Sequence, residues 1–156
     1  MNPEKSHLLH QLFPGLFQAG CTIDCQDGWF KLLLDLGAAL QRSHAEDPAP
    51  LPLIQRITQH RGILAISFQG GSRAARRLIR EAQQHSCTIC ELDGMPAVGL
   101  YVCAPYWFRH LCRRCAELHG CMTIDDMPGH ELCELPDCCS IYAPALPHIP
   151  QQGEMP

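Results

Sequence analysis

Two cysteine pairs constrain this chain more than anything else in it. "CTIC" at 87–90 and "CRRC" at 112–115 read as C-x2-C, 21 intervening residues, then C-x2-C. A two-residue spacer lets one tight turn aim two sulfurs at a single ion, and two such turns complete a tetrahedron with Zn–S near ~2.3 Å. The expected ligands are therefore Cys87, Cys90, Cys112 and Cys115, and the expected cofactor is zinc. Four thiolates leave no open position for water or substrate, so the ion's role would be structural. The competing reading is two redox or free-thiol pairs. Between the pairs, "GMPAVGLYVCAPYWF" can form a small hairpin, and after them "CRRCAELHG" opens a helix carrying the last two ligands. Knuckle, hairpin, helix is the order of a treble-clef zinc module.

The other thiols are less orderly. Cys121, His130, Cys133 and Cys138 could supply a second zinc site, with His119 and Cys139 nearby, because thiolate and imidazole both suit that ion. Their spacing fits no known ligand pattern, and the alternative is partly buried thiols in a loop-rich region. Cys103 is expected as a small core residue, and Cys21 and Cys25 as structural. The chain has 11 cysteines, an odd number. The N-terminal "LLHQLFPGLFQAGC" places small residues before Cys21, but His10, Gln11 and Pro14 interrupt the apolar run that a secretory signal needs. Reduced thiols and a cytoplasmic location are the expectation. No run of 18 apolar residues is present, so no membrane partner is expected.

Hydrophobic periodicity sets the remaining organisation. "DGWFKLLLDLGAALQR" puts Trp29, Leu32, Leu33, Leu36 and Leu40 at helical spacing, with Asp27 as N-cap, and predicts a helix over about 28–42. The Pro-rich "SHAEDPAPLP" is a loop. Two Ile- and Leu-rich runs, Leu53 to Gln59 and Ile63 to Gln69, predict a hairpin over about 53–69. A second helix over about 72–86 buries Ala75, Leu78, Ile79 and Ala82 and aligns Arg73, Arg76, Arg77 and Arg80 on the other face. The fold class is α+β: a small hairpin or sheet, two amphipathic helices and a treble-clef-like zinc module. Residues 1–86 form the body, 87–120 the zinc module, and 121–156 an irregular, acidic, Pro-rich extension.

Charge is unevenly distributed behind a formal net value of −4. Residues 1–71 sum to −1, residues 72–119 to +3 and residues 120–156 to −6. A basic middle beside an acidic end suits either a charged partner or a tail folded onto its own basic patch. Within "CRRC", charge balance around a zinc–thiolate centre is reason enough for Arg113 and Arg114. Arg73, Arg76, Arg77, Arg80 and Arg109 remain as candidate partner-binding residues.

Three segments together, "FPGLF…IDCQDGWFKLL", "ITQHRGILAISFQGG" with "LIREAQQHSCTIC", and "YWFRHLCRRCAE", resemble a group of small, uncharacterised zinc-ribbon-like proteins of bacteria, phages and prophages. Those proteins carry a cysteine-containing GDGW motif, a KFGGLRFY-like strand, a C-x2-C and a terminal LC-x2-H. The resemblance spans about Pro14 to Glu117. Gln26 stands where the family has glycine, "QHRGILAIS" lacks most of the lysine and aromatic pattern, and Cys115 occupies the histidine's place. The resemblance implies a metal-binding organisation and a mobile-element origin, and no activity.

Three function classes follow. Neither "SCTIC" nor "LCRRC" has the proline of zinc deaminases, and Asn2 is the sole asparagine, where HNH-type nucleases need one beside the active histidine. An enzyme using a cysteine nucleophile is therefore the least favoured. Nucleic-acid binding would use the arginine ridge, with Tyr106, Trp107 and Phe108 for stacking, against a pI near 6.1. A zinc-stabilised protein-binding module, acting as adaptor, regulator or inhibitor, is favoured.

Overall fold

The computed structural model describes residues 1–46, 49–105 and 107–126. Within them lie four α-helices and two three-stranded sheets, an α+β arrangement.

The first helix, α1 (Pro3–Leu12), starts with proline in its first turn and Asn2 as N-cap, the Asn2 carboxamide accepting the Glu4 N–H at 2.8 Å. Strand β1 (Phe17–Asp24) follows. Neither element shows in the hydrophobic pattern. In β1 the reason is an irregularity between Phe17 and Thr22, where Gly20 takes φ +90°, so side-chain alternation is broken. A short 3-10 turn (Asp27–Trp29) leads into α2 (Phe30–Glu46). Asp27 is not the N-cap its position suggested. Its carboxylate instead accepts the Asn2 backbone N–H at 2.7 Å and pairs with Lys5 at 3.1 Å, pinning the chain's start to the head of α2.

The parallel pairing of β1 with β2 (Leu53–His60) makes α2 the crossover between them, and β2 pairs antiparallel with β3 (Ile63–Gln69). At the β2–β3 turn Arg61 and Gly62 both have positive φ, as a two-residue primed turn requires. Helix α3 (Arg73–His85) is capped by Ser72, which accepts the Ala75 N–H, and it packs on β3 and α2. The main core joins Trp29, Leu33, Leu36 and Leu40 of the α2 stripe to Ile57, Leu64 and Ile79. Each such side chain contributes about 1.5–3 kcal/mol through burial. Buried Ser86 ties the layers together: its hydroxyl donates to Gln83 O and accepts the Leu64 N–H, while its carbonyl accepts Trp29 Nε1–H.

The second sheet has the order β5 (Trp107–Leu111), β4 (Gly99–Cys103), β6 (Met122–Thr123), with α4 (Arg113–Leu118) between β5 and β6. Side-chain hydrogen bonds to backbone carbonyls and one β-bridge fasten this sheet to the body. The His110 Nδ1–H donates to Gly62 O at 2.8 Å, Gly62 bridges Arg109, and Gln59 Nε2 donates to Phe108 O. Gly62 is favoured here by its φ of +82°, which side chains rarely adopt, and a Cβ would also crowd Leu100 Cδ1 at 2.7 Å.

Candidate metal centre

One side-chain cluster among the described residues offers a complete ligand set. The Sγ atoms of Cys90, Cys112 and Cys115 and a carboxylate oxygen of Asp93 all lie within 4.8 Å of one another. The fourth donor is thus Asp93. Cys87, expected as a ligand, does not join the group.

The local fold explains how Asp93 comes to this group. Residues 88–97 form a small hairpin: Ala97 N–H donates to Thr88 O, Ile89 bridges Pro96, and Cys90 N–H donates to Met95 O at 2.7 Å. At its tip Gly94 N–H donates to Cys90 O at 2.9 Å, with Gly94 at φ +77°, and Asp93 Oδ1 accepts the Met95 N–H. The ligand turn is therefore C-x2-D-G, "CELDG". Cys87 sits in a 3-10 turn (Ser86–Thr88) at the foot of the hairpin, and extended Ile89 carries the chain away from it.

The second pair lies at the start of α4. Cys112 is its N-cap, with Sγ accepting the Cys115 N–H at 3.4 Å, which points both sulfurs to one side of the first turn. Asp93 Oδ2 accepts from Cys112 Sγ at 3.4 Å and from Cys115 Sγ at 3.2 Å. Two ligands of a tetrahedral zinc, at ~2.3 Å for sulfur and ~2.0 Å for oxygen, stand about 3.5 Å apart. The donor set fits that ion in both chemistry and spacing: three soft thiolates and a carboxylate suit zinc.

Electrostatics follow from burial and this hydrogen bonding. Desolvation pushes the Cys115 thiol upward, and bonds to Asp93 and Cys112 reinforce the shift. Burial raises Cys90 too, against the Cys112, Asp93 and Leu92 backbone N–H groups, which favour its thiolate. Desolvation of Asp93 is outweighed by hydrogen bonds from Cys90, Met95 N–H, Cys115 and Cys112, which hold it down at about 2. A metal binding here would displace the thiol protons.

The knuckle is seated on the body through its backbone. Gly28 N–H donates to Glu91 O at 2.8 Å, and a Cβ on Gly28 would stand 2.1 Å from Cys90 O. Glu91 N–H donates to His110 O at 3.0 Å. The GDGW-like glycine of the sequence is thus the contact point for the metal turn.

Other expected site residues fall elsewhere. Cys121, a candidate ligand of a second site, forms a disulfide with Cys103. In the β4–β6 register Val102 faces Met122, which sets Cys103 opposite Cys121 at a Cα separation of 4.4 Å, within bridging reach. Cys103 is buried in the core of this module, as expected, but the bond overturns the expected reduced state of both thiols. It also ties the start of the presumed irregular extension to the sheet. His130, Cys133 and Cys138 lie outside the described residues. Arg73, Arg76, Arg77 and Arg80 are exposed along α3, Arg77 pairing with Glu81 at 3.5 Å. Arg109 is half-buried on β5, away from that ridge in the chain.

No protein-family model, curated protein or solved structure matches this chain. The metal cluster is the part of the zinc-ribbon resemblance that the structure supports. No helix among the described residues is long and apolar enough to cross a membrane.

Proposed function

We propose that the chain is a non-enzymatic, zinc-stabilised protein-binding module, an adaptor, regulator or inhibitor working in the cytoplasm. The observation that carries this reading is the cluster of Cys90, Asp93, Cys112 and Cys115. Four protein donors close a tetrahedral site, so a zinc held there has a structural task. Turn, hairpin and helix follow one another as in a treble-clef module. Around that frame the feature free to meet a partner is the α3 face, where Arg73, Arg76 and Arg80 extend into solvent. An acidic patch on a protein is the complement such a face selects.

Zinc content of the protein purified without added metal tests the frame, with one ion per chain expected. Affinity capture with the wild type and with an Arg73→Glu/Arg76→Glu/Arg80→Glu variant tests the surface. A stoichiometric protein partner lost in the variant supports the reading. The second reading, a nucleic-acid-binding zinc protein, is favoured by exposed Trp107 two residues from Arg109 on β5. Salt-dependent binding to random DNA or RNA that the same ridge variant abolishes would replace the protein-binding reading.

A further inference from the structure

Where the two sheets meet, a cleft of about 500 Å³ is walled by residues from β1, β2, β5 and the metal turn. It is distinct from the metal cluster and uses different side chains. Two buried polar atoms on its walls have no hydrogen-bond partner: Glu91 Oε2 and Arg109 Nε. Glu91 is 2% exposed, and both its backbone groups are fixed, the N–H on His110 O and the carbonyl on Gly28 N–H. The Gln59 side chain hydrogen-bonds to its carboxyl group, leaving Oε2 as the oxygen without a partner. Arg109 is anchored through its bridge to Gly62. Glu91 and Arg109 form no ion pair with each other among the described residues, although burial, which raises the Glu91 carboxyl, is opposed by the Arg109 charge. Leaving such groups unsatisfied costs ~1–3 kcal/mol each, so the arrangement calls for a bridging group.

That group must hydrogen-bond the Glu91 carboxyl on one side and accept an N–H on the other. One water meets both demands but fills only ~30 Å³, a small fraction of the cleft. The remaining walls describe a larger guest. Trp107, 54% exposed, lies on the same face of β5 as Arg109 and offers a flat indole for stacking. Arg56, exposed on β2, supplies a cation at the cleft. A flat ring with a donor beside an acceptor, attached to an anionic group, satisfies all four residues. We infer that this cleft binds a nucleobase by its hydrogen-bonding edge between Glu91 and Arg109, stacked on Trp107, with its phosphate toward Arg56. The same chemistry is offered by a free mononucleotide and by one base of a single strand.

The test uses the full chain, titrated separately with AMP, GMP, CMP, UMP and a mixed-sequence ten-nucleotide single strand while tryptophan fluorescence is followed. Trp29 is wholly buried, so a Trp107→Phe control assigns the response to the cleft. Saturable quenching is expected with at least one probe, weakened about tenfold or more in Glu91→Gln and Arg109→Met. Trp107→Ala, a change at an exposed position, removes the fluorescent reporter, so its binding is followed by isothermal titration calorimetry, where a similar loss of affinity is expected. If Glu91→Gln fails to fold, the Arg109 and Trp107 variants carry the comparison. Mononucleotide binding supports the free-nucleotide source; binding of the strand alone supports the polymer. No saturable binding with any of the five probes, or binding that the variants leave unchanged, overturns the proposal.

Discussion

At Gly28 a hydrogen atom does what no side chain could. Its backbone lies against the Cys90 and Glu91 carbonyls, with no space for a methyl group between them. Gly28→Ala must therefore push the metal turn off the body and lengthen the bond from Gly28 N–H to Glu91 O. Overpacking of this kind costs about 1–3 kcal/mol. Urea denaturation at fixed zinc should show the unfolding free energy falling by that amount, together with weaker metal retention. Asp27, one residue earlier, makes a prediction about pH. The Asn2 N–H and Lys5 lower its carboxyl below the ordinary value of 3.8, so its stabilisation is present above that value and is lost as pH falls through the folded value. Asp27→Asn should be less stable than wild type at neutral pH, by under ~1 kcal/mol because the pair is exposed. The difference should close below about pH 3.8 in parallel acid titrations. Residue by residue, the sequence was least legible where a side chain's role depended on its neighbours in space. Asp93 was hidden because a carboxylate is a minor ligand in cysteine-rich sites; the glycine after it, which allows the tight turn, was the available signal.

Among elements, the α2 and α3 stripes were readable because burial on one face of a helix leaves a 3.6-residue period, and Leu33, Leu36, Leu40, Ala75 and Ile79 are indeed buried. Strand β1 was not, since its irregularity removes the period-two signal, and β6 is only two residues long. Two registers overlap in the metal turn: Cys87 and Cys90 are C-x2-C, Cys90 and Asp93 are C-x2-D, and the second surrounds a glycine-ended turn. Two variants separate the registers. With Asp93 as the fourth ligand, Asp93→Ala lowers affinity by about tenfold or more and Cys87→Ser leaves one zinc per chain; the reverse pattern assigns the fourth position to Cys87. Competition with a chromogenic chelator measures both. The disulfide between Cys103 and Cys121 is a further element-level device, closing a loop of 18 residues around α4 and its two ligands. A Cys103→Ser/Cys121→Ser variant should lose about 3 kcal/mol in non-reducing urea melts, on the loop-entropy account.

At the scale of the molecule, the question is whether the body and the metal module stand or fall together. Hydropathy suggests a division near residue 86, since the cysteine module begins there. The hydrogen bonds from Gly28 to Glu91, from His110 to Gly62 and from Gln59 to Phe108 cross that division. Trp29 adds a fourth tie, its indole held by Ser86 at the entry to the metal turn. Displacing the turn breaks the bond between Gly28 and Glu91 outright, because the two are in backbone contact. Binding to the folded state alone stabilises by RT ln(1 + [Zn]/Kd), or ~4 kcal/mol at a thousandfold excess over Kd. Removing zinc with a strong chelator should therefore lower the melting temperature of the whole chain, not of the module alone. Trp29 fluorescence reports the body, and release of zinc to a dye reports the module. The two curves should coincide through thermal unfolding and shift together with free zinc. A Trp29 transition unmoved by chelation would mean that residues 1–86 fold on their own, and that the metal stabilises only its own turn.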